Sequence, residues 1–274
     1  MRFGIFGAAQ AGSPLPGAPM GQGFHDFVEF NVEAEALGYC STFLVEHHFT
    51  GWNQVSAPLT LLTWLAARTT SLRLGTAVMV LPWHNPVLLA EQAATLDLLS
   101  NGRLDFGVGK GYRYNEFRGF VIPLEEADAR LEEALDIIAK AWTSEQQFSY
   151  HGRFWHFNDI LVEPPTRQRP HVPFWMAAGS EPSIRRVAER GYNLILDQFA
   201  ALDLIGERIA LFKYELAARG PRCHSPQIAL ARDMHIVDDQ VAKDAVLRRN
   251  HHFHERILSV ASWPDHTSGS HILV

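Results

Sequence analysis

The chain has 274 residues, 47% of them hydrophobic and 20% charged, with a formal net charge of −6. That length supports one large core and suits a single domain of barrel size, residues 1–274, better than two smaller ones. The acidic balance excludes the basic footprint that nucleic-acid or anionic-membrane binding would need. Cys40 and Cys223 form no paired motif, so neither a disulfide framework nor a structural zinc site is expected. No apolar run is long enough to span a bilayer. A soluble cytoplasmic protein is predicted.

Residues 2–6 form the first predicted strand, followed by a loop rich in Gly and Pro over 7–23. Phe27, Phe30, Ala34 and Leu37 then recur at helical spacing, with Gly38 as C-cap. Residues 39–45 are a second strand running into Glu46-His47-His48-Phe49. Residues 58–68 are helical, 72–80 are the clearest buried strand, and a helix from Pro86 to Leu99 stops at Asn101-Gly102. Residues 103–108 form a fourth strand ending in Gly107-Val108-Gly109-Lys110-Gly111. Residues 124–142 form a long helix with Leu131, Leu135 and Ile138 on one side.

An insertion hairpin is expected near 145–163, with strands over 148–150 and 153–157 about a His151-Gly152 turn. Strands over 173–178, 193–196 and 227–237 then alternate with helices over 182–190, 202–219 and 240–260. Seven βα units without a dinucleotide fingerprint predict an α/β fold of the TIM type, a (β/α)8 barrel. The last βα unit reads as shortened or missing, with residues 272–274 the one candidate for an eighth strand.

In such a barrel the chemistry sits at the C-terminal ends of the strands. Strand two ends in Glu46, His47 and His48, and strand three carries Thr76, Ala77 and Val78. The later strands contribute Gly109-Lys110-Gly111, Gly179-Ser180, Asp197-Gln198, and Asp233 with His235. Ser180 stands where it caps a helix beginning at Glu181-Pro182, so free N–H groups face the barrel mouth. That arrangement serves a phosphate and an ordinary cap equally well, and the residues alone leave both open. Lys110 offers a full positive charge on the neighbouring strand.

Successive strand residues point to opposite faces, so His47 and His48 cannot share one metal, and no metal is expected. One ring should face the cavity, and Glu46 is placed to orient a histidine. The run His251-His252-Phe253-His254-Glu255 puts His251 and Glu255 on one helical face. It lies on a late helix, away from the strand ends, and reads as a solvated or interface surface.

These residues resemble the bacterial luciferase-like flavin monooxygenases. Five stretches carry the resemblance in order. They are Ala36-Leu37-Gly38-Tyr39 leading to Glu46-His47-His48-Phe49-Thr50; Leu74-Gly75-Thr76-Ala77-Val78-Met79-Val80-Leu81-Pro82; His84-Asn85-Pro86 with Ala90-Glu91-Gln92; Gly102 to Gly109 with Glu116-Phe117; and Pro173-Phe174-Trp175 to Gly179-Ser180. The resemblance implies FMN, used in its reduced form as a co-substrate delivered by a separate flavin reductase. It further implies O2-dependent oxidation of a small organic substrate such as an aldehyde. His47 matches the family's catalytic base, with His48 and Glu46 as its neighbours. Ala77-Val78 matches a non-prolyl cis pair behind the flavin ring. Lys110, Gly179, Ser180 and Ser183 match phosphate-binding positions. Gln198 departs from the family's tryptophan, which argues against a long-chain aldehyde. The helices over 58–68 and 86–99 match a dimer interface, with Leu61, Leu62, Trp64 and Leu65 as its apolar surface, and a homodimer is expected. The competing readings are hydride transfer with deazaflavin F420 and a flavin-binding relative without turnover.

Overall fold

The computed structural model describes residues 1–13, 16–220 and 226–261. Parallel strands run in the order β1 (Ile5–Gly7), β2 (Ser41–Leu44), β3 (Arg73–Thr76), β5 (Leu104–Gly109), β8 (Phe174–Ala177), β9 (Asn193–Leu196) and β10 (Ile228–Leu230). A short β4 (Met79–Val80) pairs with β5 beyond β3. Each neighbour pair is parallel, and helices make the return crossings: α1 (Gln22–Ala36), α2 (Pro58–Arg68), α3 (Pro86–Leu99), α5 (Ala127–Thr143), α6 (Glu181–Arg190) and α7 (Leu202–Ala218). This is the predicted βα alternation, and the sheet curls far enough for Arg2, ahead of β1, to donate to Gln227, ahead of β10. Residues 272–274, the candidate eighth strand, lie outside the described residues, as does Cys223.

The core lies between strands and helices. Leu44, Leu74, Leu104, Phe106, Val108, Phe174, Leu194 and Leu196 are essentially inaccessible. Phe174 stacks on Tyr192 and meets Trp142 of α5, whose indole N–H donates to Ala90 O of α3 at 3.0 Å. Alternation turns the other side chains inward, where Phe43 and Trp175 meet edge-on with centroids 5.4 Å apart. Apolar residues on both faces are what a fully covered parallel sheet requires.

Several boundaries differ from the sequence-based expectation. The strand expected over 72–80 is broken at a cis peptide between Ala77 and Val78. At the break the Thr76 hydroxyl takes over the pairing, donating to Gly107 O at 2.7 Å and accepting from Gly107 N–H at 2.9 Å. A Cβ at Gly107 would lie inside the Thr76 carbonyl, so only glycine fits this approach. The seventh strand stops at Leu230 instead of running to residue 237, which removes Asp233 and His235 from the strand end. A six-residue helix, α4 (Tyr114–Gly119), was not anticipated; its residues carry no extended apolar period. Strands β6 (Phe148–His151) and β7 (His156–Ile160) form the expected antiparallel ribbon, the second starting three residues later. The last described helix, α8 (Gln240–Ala261), packs against α4, so it is not remote from the strand ends.

Candidate active site

The chain leaves β2 at Leu44 and is held on course by Val45 N–H to Gly7 O and His47 N–H to Val55 O. Glu46 turns into the wall and is buried. It accepts from Val80 N–H at 2.7 Å and pairs with Nε2 of His84 at 2.7 Å and Nε2 of His48 at 3.2 Å. Burial works against its charge, but the hydrogen bonds from His48, His84 and Val80 outweigh it and hold the carboxyl below its ordinary pKa. An ionised carboxylate only accepts, so both histidines carry a proton on Nε2. His48 also lies in an aromatic box of Phe49, Trp83 and Phe120, the last 4.8 Å away edge-on. These contacts hold the ring in place.

His47 points the other way. Its Nδ1 lies 3.0 Å from Glu116 Oε1, and the same oxygen accepts from His48 N–H at 2.8 Å. Glu116 is buried on α4. Burial pulls the His47 pKa below the ordinary imidazole value; the bond to Glu116 opposes the shift and the charge of Arg113 reinforces it. Near pH 7 the ring is therefore neutral, with Nδ1–H tied to Glu116 and the Nε2 lone pair available to a proton. Phe49 follows with a φ of 54°, in the left-handed region that a bulky residue rarely enters. Its carbonyl accepts from Asn115 at 3.3 Å and its ring packs on Phe120.

The candidate phosphate loop follows β8. Ser180 N–H donates to Ser183 Oγ at 3.1 Å and Ser183 Oγ donates to Ser180 O at 2.8 Å, fixing the start of α6. The register pairing Val108 with Met176 brings Lys110 alongside this loop. The Lys110 ammonium, however, is half exposed and bound to Asp128 at 2.9 Å. A buried cation stands at the loop: a Cβ on Gly179 would lie 3.2 Å from Nη2 of Arg208. Arg208 pairs with Asp197 at 2.7 Å, while its Nε is buried without a partner among the described residues. Ala77 and Val78 lie across from Gly109, where an added Cβ would meet Val78 Cγ2 at 2.7 Å.

Glu46, His47 and His48 thus fall into two networks, Glu46–His48–His84 and His47–Glu116. Lys110, Gly179, Ser180 and Ser183 gather at a second place on the rim. Sequence reasoning missed the roles of Glu116, His84, Arg113 and Arg208. Glu116 and His84 stood inside the resembling stretches; nothing in the local pattern marked the two arginines. His251 and Glu255 form an exposed i, i+4 pair, and no group of three metal-binding side chains occurs among the described residues. Leu61, Leu62 and Leu65 are buried inside the chain, and Trp64 packs edge-on against His25, so these residues do not supply a free apolar surface. The exposed apolar side chains of that region are Leu88, Leu98 and Leu99 on α3.

The sequence profile described as luciferase-like monooxygenase matches residues 1–267. The chain is 27% identical over 229 residues to the oxygenase component of a flavin-dependent trigonelline monooxygenase from Acinetobacter baylyi, covering 83% of this chain and 62% of that protein. It is 34% identical over 189 residues to an F420-dependent glucose-6-phosphate dehydrogenase from Kineococcus radiotolerans, covering 66% of this chain and 55% of the relative. The crystal structure of the monooxygenase RslO1 from Streptomyces bottropensis superposes with a TM-score of 0.86 at 27% identity, covering 95% of this chain and 80% of that one. The chain spans roughly three-fifths of the length of those two curated relatives, 62% and 55%. With its TIM-type barrel and the Glu46-His47-His48 rim, the chain belongs to the luciferase-like monooxygenase family.

Proposed function

We propose that the chain is the oxygenase half of a two-component flavin monooxygenase, taking reduced FMN from a separate cytoplasmic reductase and using O2 to oxidise a small organic substrate. The observation that carries this reading is the partly buried, neutral His47 with Nδ1 bound to Glu116. The residues fit the cofactor: the Gly179–Ser180 loop with Ser183, Lys110 and the incompletely paired Arg208 would hold its phosphate, and Ala77 with Val78 would back its ring. Bound reduced FMN supplies the electrons that activate O2. His47 accepts and returns the substrate's proton at Nε2, and Glu116 keeps the ring in that tautomer. Glu46 and His48 are positioning residues that lock the wall. The aromatic box of Phe49, Trp83 and Phe120 keeps water from that side.

Hydride transfer with F420 is the second reading, favoured by the 34% identity to an F420-dependent dehydrogenase. Titration with reduced FMN and reduced F420, followed by turnover under 18O2, separates the two. One labelled oxygen in the product is expected. Oxygen-independent turnover with F420 alone would overturn the monooxygenase reading. The phosphate assignment is tested by Arg208→Gln, expected to weaken FMN about tenfold or more while leaving riboflavin, which lacks the phosphate, nearly unaffected. Equal loss of both would remove Arg208 from the site.

A further inference from the structure

Arg113 lies between β5 and α4, one helical turn ahead of Glu116. It is only 2% exposed, yet its Nε and Nη1 are buried with no hydrogen-bond partner among the described residues. A guanidinium stays charged, and removing it from water with unpaired donors is strongly unfavourable. The structural arginines of this protein behave differently. Arg103 donates to Ala66 O, Thr69 O and Leu72 O at the end of α2, and Arg73 closes on Asp105 at 2.7 Å. The buried carboxylates near Arg113 are engaged elsewhere. Glu116 holds His47 and the His48 amide, and Glu46 holds Val80, His84 and His48. Tyr112, with its ring centroid 5.8 Å from the guanidinium carbon, offers no acceptor contact at the free nitrogens.

We propose that Arg113 is the anion-binding residue of the substrate site, and that the substrate carries a carboxylate which the free Nε and Nη1 donors receive beside His47. The inference rests on reading the rim around His47 as the oxygenation site. It is separate from the candidate phosphate loop, which follows β8 and has Arg208 beside Gly179. Arg113 already acts on His47 through its charge. A carboxylate seated on it offsets that charge, so substrate binding strengthens the base that it meets.

The test uses calorimetric titration of the full chain, with and without FMN. The probes are benzoate and hexanoate, each against its neutral carboxamide. The carboxylates are expected to bind at least about tenfold more tightly than the carboxamides, the range of a charge-assisted hydrogen bond. Arg113→Met should abolish that preference and Arg113→Lys should keep part of it, both with unchanged FMN affinity. Methionine fills the same space without a charge, so the Tm of Arg113→Met should hold or rise. Carboxylates no tighter than carboxamides in the unaltered protein would overturn the proposal. So would a preference that survives Arg113→Met, including the case where the Tm falls and the arginine is merely structural. Failure of the unaltered protein to bind FMN would sink the flavin reading alone, because the carboxylate comparison is also made on the flavin-free chain.

Discussion

His47 and His48 are adjacent in sequence and chemically identical, yet they end in different environments. His48 is enclosed by aromatic rings and tied to Glu46. His47 keeps one nitrogen free because Glu116 occupies only the other. His47→Ala should lower turnover by about 10²–10⁴-fold, the range for loss of a general base, with FMN affinity retained. The acid limb of kcat/KM should lie below pH 6.5, since the folded-state value is depressed and the neutral ring is the active form. Glu116 raises the His47 pKa, so Glu116→Gln should move that limb to lower pH while reducing kcat. An unmoved pH profile would break the assigned link between the two residues.

Among the elements, motifs that carried the family resemblance prove to be partly architectural. Arg103 caps the carbonyls that end α2, and Asp105 holds Arg73, so Gly102-Arg103-Leu104-Asp105 fixes a helix end and a strand pair without touching the rim. The insertion ribbon is secured in a similar way. Glu133 of α5 accepts from the backbone N–H groups of Arg153, Phe154 and Trp155 at 3.0, 3.1 and 2.8 Å. Glu133→Ala should cost about 3 kcal/mol by leaving those donors unpaired. Limited proteolysis should then cut within β6 and β7 first. Cleavage elsewhere, with stability unchanged, would show that the clamp is incidental.

For the whole molecule, the depressed groups set the acid limit of stability. The His47 pKa is lower in the folded state than in the unfolded chain, so the unfolded chain binds protons more readily. Stability should therefore be complete above about pH 6.5 and decline as pH falls through the window beneath it. Glu46, also depressed, adds a second loss below its ordinary value of 4.5. Thermal melts across pH 3–8 (spanning both ordinary pKa values) check this order. A homodimer is expected through the exposed α3 leucines; sedimentation of Leu88→Glu and Leu99→Glu should show monomers with unaltered melting. Sedimentation of the unaltered chain as a monomer would remove that expectation.

The family resemblance singled out Glu46-His47-His48; alternating apolar runs and helical periods, read alone, determined the βα order and most element cores. They did so because strand and helix periods are local properties of neighbouring side chains. Boundaries were legible to within a few residues where a start signal such as Pro86 marks them, and failed at β10, where an apolar run continues past the pairing. The tertiary structure alone decided which histidine is free, that Glu116 holds it from 69 residues away, and that Lys110 is diverted to Asp128 while Arg208 sits under Gly179. It also decided that Arg113 is buried without a partner. Such facts depend on burial and on contacts between distant segments, because the charge state and pairing of a side chain are set by what surrounds it in space.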